Sequence, residues 1–153
     1  MKPSSAKTFR DYARAIFIPY LIRKFENVSR LDLVWDRYLP DSLKATTREK
    51  RGTGIQQRVV DEATIPGNWQ NFLRVDSNKT ELFNYLSTVL MQDFQQEDKQ
   101  LIVTHDVEVL SKPQLQDMLS ISPCSHEEAD TRMFLHVYHA VRHGHRKKSC
   151  SNR

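Results

Sequence analysis

Apolar residues at Phe9, Tyr12, Ala13, Ile16, Phe17, Tyr20 and Leu21 keep a helical period behind Thr8-Phe9-Arg10-Asp11, which has the form of a capping pair. The pattern predicts a helix with one buried face. Pro19 removes the amide that would bond the Ala15 carbonyl, which predicts a kink or an end there and a continuation to about Asn27. Residues 31–36, Leu-Asp-Leu-Val-Trp-Asp, form a short β-branched and aromatic run, nearly continuously apolar in its second half. That reads as a strand covered on both faces in a parallel sheet, with Asp36 at its carboxyl end. Periodicity is lost over 39–65, where Pro40, Gly52 and Gly54 predict a long mobile excursion with a helical turn around 46–50. Pro66-Gly67 turns the chain into Trp69, Phe72 and Leu73 on one helical face. Asn78 with Glu81 then reads as the cap of a longer helix bearing Leu82, Phe83, Leu86, Val89 and Leu90 and ending near Phe94. After a polar break at 95–99, Leu101-Ile102-Val103-Thr104 is a second buried strand, with Asp106 just past its end. A short amphipathic piece at 115–119 leads to Ser122-Pro123-Cys124 and to the best-marked helix. Ser125 is its expected cap, Glu128 closes a capping box, and Ala129, Met133, Val137, Ala140 and Val141 are its expected buried stripe, up to Gly144.

The order of helix, strand, helices, strand and helix predicts an α/β fold, and open α/β sheets take ligands outside the carboxyl ends of their strands, where Asp36 falls. At 153 residues the chain allows one domain or less, and its 39% apolar content, even with Gly added, predicts a modest core or one shared with something else. Cys124 and Cys150 form no C-x-x-C pair and no disulfide framework, and the first residues lack an apolar signal core, so an intracellular location, cytoplasmic or nuclear, is expected. The longest apolar run, 15–22, is too short to span a membrane and contains Pro19 and Tyr20. The formal charge of +4 is uneven. Lys44, Arg48, Lys50, Arg51 and Arg58 cluster in the excursion and a second basic run covers 142–153, which leaves the rest of the chain net acidic. Clustered cations of this kind suit a nucleic-acid backbone, because they gain affinity by releasing condensed counterions; a solvated loop and tail account for them equally.

The densest acidic cluster is Glu127, Glu128 and Asp130 at the start of the last helix, facing a sheet edge that carries Asp36. Carboxylates gathered there suit Mg²⁺ or Mn²⁺, which take hard oxygen ligands and keep waters for a substrate phosphate. The same acids at a helix start are also favoured by the helix dipole alone. In a regular helix residues 128 and 130 point roughly 200° apart, so both can serve one site only if Glu128 lies at an irregular start, whereas Glu127 and Asp130 share a face. A rival group is His136, His139, His143 and His145 with Cys124, Cys150 and His126. The i, i+3, i+7 spacing of its first three members offers imidazoles to Zn²⁺, and solvated histidines have the same spacing. Trp35 and Trp69 lie on apolar stripes and are expected in the core.

Residues 34–51, VWDRYLPDSLKATTREKR, resemble the flap-endonuclease pattern of a strand ending in Phe-Asp-Gly, then Pro, Lys and the basic residues of an arch. Residues 122–137, SPCSHEEADTRMFLHV, resemble that family's Pro-x-Glu-Ala-Glu-Ala segment. A closer likeness, spanning nearly all of 3–144, is to a family of uncharacterised PIN-like proteins that run TREKRG, IPGNWQNFLR, VDSNKTELF and SHEEADTR along one chain. The resemblance implies an incomplete three-layer PIN-like, Rossmann-like domain with few parallel strands and helices on both faces. It would span 1–145, with the mobile basic arm at 39–65 and a basic tail at 146–153. By carry-over, Asp36, Glu128 and Asp130 match the family's catalytic metal-binding acids, with Glu127 beside them, and Lys44, Arg48 and Arg51 match the arch cations, with Lys50 and Arg58 adjoining.

The chain departs from that pattern in two places. The family's first strand carries Asp-Gly ahead of the first helix, and Met1 comes too late to supply it. Past His145 the family resumes with a strand leading to Asp-Thr-Asp, where this chain reads RKKSCSNR. The resemblance therefore implies a truncated, catalytically incomplete copy of a divalent-metal-dependent nuclease domain that retains nucleic-acid binding. A noncatalytic protein-interaction module, using a poorly covered hydrophobic face such as that of residues 8–22, or a zinc-stabilised module, is the alternative.

Overall fold

The computed structural model of the chain describes residues 3, 5–39 and 55–145. The first helical stretch opens where the capping pair predicts. Thr8 Oγ accepts the Asp11 amide at 3.2 Å, and the Asp11 carboxylate accepts the Thr8 amide at 3.0 Å. It continues without a break as α1 (Phe9–Asp11), a π-helical stretch (Tyr12–Phe17) and α2 (Ile18–Phe25). Pro19 does not end it: the π turn, in which the Ile18 amide bonds the Ala13 carbonyl five residues back, places the proline in the first turn of α2, where no intrahelical amide is needed.

The next elements are β1 (Arg30–Leu33), α3 (Trp69–Phe72), α4 (Asp76–Asp93), β2 (Gln100–His105), β3 (Glu108–Lys112), a 3-10 turn (Met118–Ser120) and α5 (Ala129–Arg142). The fold is α/β, with a three-stranded mixed sheet ordered β1-β2-β3. β1 and β2 run parallel, with Leu31 opposite Leu101, and β2 and β3 form an antiparallel hairpin with Val103 opposite Leu110. The hairpin escapes the sequence pattern because its two-residue turn, Asp106-Val107, lacks glycine and is met by Asp106 at φ +53°, a conformation aspartate tolerates.

Helices cover both faces of the sheet. Leu101 and Val103 join Phe9, Phe17, Phe25, Phe72, Leu86 and Leu90 in the larger core, while Ile102, between them in sequence, packs on the other face with Val109, Ile121 and Cys124. All three β2 residues are fully buried, as two-sided burial requires. The apolar face of residues 8–22 is covered: Phe9, Tyr12, Ala13, Phe17 and Leu21 lie in the core. Trp69 is buried, and Trp35 stacks on Phe83 with its indole N–H donated to Ser87 Oγ.

Two helices differ from expectation. α4 begins at Asp76, so Asn78 is not its cap. Asn78 is fully buried, accepts the Gln57 amide and donates to the Ile55 and Phe72 carbonyls, while Glu81 accepts the Val59 amide. With the Tyr85 hydroxyl on Asp61 and the Phe9 amide on the Ala63 carbonyl, these bonds tie residues 55–65 to the helical layer; residues 40–54 of the expected arm lie outside the described residues. α5 is turned the other way round from its apolar pattern. Its buried residues are Arg132, His136 and His139, whereas Phe134, Tyr138 and Val141 are 75%, 64% and 59% exposed. Charge partners on β1 account for the inversion, since a buried polar stripe is tolerable only when it is hydrogen-bonded.

Candidate functional site

The carboxyl ends of the parallel pair are held open by one buried cation. Arg132, fully buried, donates Nη1 to the Trp35 carbonyl beyond β1 and Nη2 to the Asp106 carbonyl beyond β2. Arg37 adds a second stitch, through Nε to Asp106 Oδ1 (2.8 Å), through Nη1 to the Ser125 carbonyl and through its amide to the Glu127 carbonyl. These contacts bring the segment after β1 and the start of α5 together, and with the start of α4 they line a pocket of about 500 Å³.

Asp36, Glu127, Glu128 and Asp130 all line this pocket, together with Asp76, Arg37, Tyr38, Arg74 and Lys79. Ser125 does not cap α5, and no capping box forms. Glu128 is the N-cap residue, extended at φ −86° and ψ 136°, so it sits at the irregular start that lets it share a pocket with Asp130. The cap itself comes from across the sheet, as Asp36 Oδ1 accepts the Ala129 amide at 2.7 Å. One oxygen of Asp36 is thus engaged, and among the described residues the acids do not place three ligand atoms within 4.8 Å of one another. Lys79 is paired with Asp76 at 2.8 Å and lies 3.9 Å from the Tyr38 ring centroid, while Arg74 is exposed at the mouth. Asp76, Arg37, Arg74, Lys79 and Arg132 escaped the sequence reading, although Arg132 stands within the SHEEADTR run. Lys44, Arg48, Lys50 and Arg51 lie outside the described residues, and Arg58, exposed, does not line the pocket.

Beneath α5 lies a buried polar network. Asp32 on β1 accepts from Arg30 Nε at 2.8 Å and Nη2 at 2.9 Å, and from His136 Nδ1 at 3.0 Å, while Arg30 Nη1 donates to His139 Nδ1 at 2.9 Å. Burial pushes the Asp32 carboxyl upward, but the bonds from His136 and Arg30 more than offset it and leave its pKa below the ordinary carboxylate value. His139 is held below the ordinary imidazole value by burial first, then by the Arg30 charge and by His143. The zinc group expected from sequence does not assemble as such, because His136 is committed to Asp32 and Cys124 lies in the second core cluster. Cys150 lies outside the described residues.

No protein-family model, curated protein or solved structure matches the chain. Among the described residues, no helix is long and apolar enough to cross a membrane.

Proposed function

We propose that the chain is a catalytically incomplete, PIN-like, divalent-metal-dependent nuclease domain that binds a nucleic-acid backbone at the pocket between β1, α4 and α5. The observation that carries this reading is a pocket of about 500 Å³ at the strand ends, lined by Asp36, Glu127, Glu128 and Asp130 and by Arg37, Arg74 and Lys79. Acidic side chains would hold Mg²⁺ or Mn²⁺ largely through its waters, and the ion would bridge to a phosphate oxygen. The amino ends of α4 and α5 add partial positive charge on the same side. Binding without turnover fits the geometry, since Asp36 spends one oxygen on the Ala129 amide and no three of the acids bring ligand atoms within 4.8 Å of one another among the described residues. The arm cations Lys44, Arg48, Lys50 and Arg51, with Arg58, would extend the backbone contact.

Mn²⁺ binding followed by electron paramagnetic resonance, and nucleic-acid binding followed by fluorescence anisotropy between 50 and 200 mM salt, test this reading. Asp130→Asn should weaken Mn²⁺ binding several-fold, and Arg74→Ala should lower the salt slope by about 1. Equal Mn²⁺ affinity in Asp130→Asn, or an unchanged slope in Arg74→Ala, refutes it. Nuclease activity unaffected by Asp130→Asn would point to contamination and count against this site, and activity that the substitution abolishes would refute binding without turnover. A second reading, a protein-interaction module, is favoured by the exposed Phe134, Tyr138 and Val141 stripe on α5.

A further inference from the structure

We propose that Asp117, His139 and His143 form a binding site for a divalent transition-metal ion, with Zn²⁺ as its natural occupant, remote in chemistry from the Mg²⁺ or Mn²⁺ pocket. One ligand atom from each of the three lies within 4.8 Å of the others. Small side-chain rotations close that spread to the roughly 3.3 Å edge of a tetrahedron with bonds of about 2.0–2.1 Å. His139 and His143 are four residues apart on one face of the carboxyl end of α5, with their rings stacked at 4.1 Å. That is the helical spacing by which two imidazoles clasp zinc. Asp117 arrives from the other side, as the residue preceding the 3-10 turn.

The ring nitrogens are arranged for this use. His143 donates Nδ1–H to the His139 carbonyl at 2.9 Å, which fixes its ring and leaves the Nε2 lone pair outward, the backbone-oriented tautomer typical of metal ligands. His139 is 2% exposed, and its Nε2 is buried with no hydrogen-bond partner. Arg30 donates to the other nitrogen, Nδ1, so without an ion the ring proton occupies Nε2, where the Asp117 backbone lies near but makes no hydrogen bond of good geometry. On binding at Nε2 the ring proton shifts to Nδ1, and Arg30 turns its Nη1 away from that nitrogen while keeping its two bonds to Asp32.

Two imidazoles and one carboxylate select a borderline ion over hard Mg²⁺ or Ca²⁺, and three protein ligands leave a position for water. The ion would fasten α5 to the segment whose Leu115 and Met118 pack into the second core cluster.

The test is a Co²⁺ titration of the chelator-treated full chain, read by visible absorption, with Zn²⁺ competition and a thermal melt in Zn²⁺. Wild type should bind one ion with a tetrahedral or five-coordinate Co²⁺ spectrum and melt higher with Zn²⁺. Asp117→Asn and His143→Ala, both at exposed positions, should fold normally by circular dichroism and bind at least tenfold more weakly. His126→Ala should match wild type. A featureless Co²⁺ titration, or unchanged affinity in His143→Ala, overturns the proposal. Mn²⁺ binding at the acidic pocket should not respond to His143→Ala, so the failure of one site leaves the other standing or falling by its own test.

Discussion

Asp32→Asn keeps the size of the side chain at the centre of the sheet-to-α5 interface and removes its charge. The carboxylate receives two bonds from Arg30 and one from His136, all between 2.8 and 3.0 Å, and the Arg30 side chain is only 4% exposed. An amide cannot accept from all these donors, and its own NH₂ must face one of them, so the guanidinium is left buried without its counterion. Breaking a buried pair from one side costs about 3–5 kcal/mol. Asp32 retains 19% side-chain exposure, which places the expected loss toward the lower end. For a chain of this length, about 2–4 °C is lost per kcal/mol, so the melting temperature should fall on the order of 10 °C. Thermal and urea melts followed by circular dichroism at neutral pH measure it. Replacing the three groups that meet at Asp32, Arg30→Met with Asp32→Leu and His136→Leu, should cost less than Asp32→Asn alone, because no charge is stranded, even though His139 loses its Arg30 partner. The pH dependence has a definite sign: the Asp32 pKa is depressed in the folded chain, so its contribution is complete above the ordinary carboxylate value and is lost as pH falls through the depressed one. The gap between wild type and Asp32→Asn should therefore narrow only in acid, below about pH 4. A variant melting within 2 °C of wild type (roughly 0.5–1 kcal/mol), or a triple variant less stable than the single one, would refute the reasoning.

Asn78→Ala should cost about 2–4 kcal/mol, since it strips the Gln57 amide and the Ile55 and Phe72 carbonyls of a shared buried partner, and limited proteolysis should then cut sooner near residues 55–59. On α5, Phe134→Ser and Tyr138→Ser should change stability by less than about 0.5 kcal/mol, against about 3–5 kcal/mol for Phe9→Ala; a large loss at Phe134 would mean that the outer face of α5 is buried in solution.

The elements that sequence located well are those whose apolar residues answer to one nearby surface. Thr8 and Asp11 open a helix, Leu101 to Val103 alternate between two cores, and the Leu82, Leu86 and Leu90 stripe faces the sheet. α5 failed because its buried stripe is polar and its partners, Arg30 and Asp32, stand about a hundred residues earlier in the chain. One signal was present: a carboxylate inside the apolar run of β1 calls for a counterion, and Asp32 had none nearby in an extended strand other than Arg30. Asn78 and Glu81 carry the marks of a cap, but the same side chains serve equally well to hold a neighbouring segment, and only the packing decides. At the site, Asp36, Glu127, Glu128 and Asp130 were legible because they sit at element ends. Asp76, Arg74 and Lys79 were not, because α4 reaches the pocket only through the tertiary turn at its start.

The polar underside of α5 gives the two faces of the sheet different thermal behaviour. Opening the large apolar core to water exposes hydrocarbon and raises the heat capacity, whereas exposing guanidinium, imidazole and carboxylate groups lowers it. Cooling therefore loosens the layer built on Phe9, Phe17 and Leu86 while sparing the grip of Arg30, Asp32 and His136. In a calorimeter the Arg30, Asp32 and His136 contacts under α5 would add little to the heat-capacity step on unfolding, which on that face comes from Ile102, Val109 and Ile121, even though their removal strands several charges.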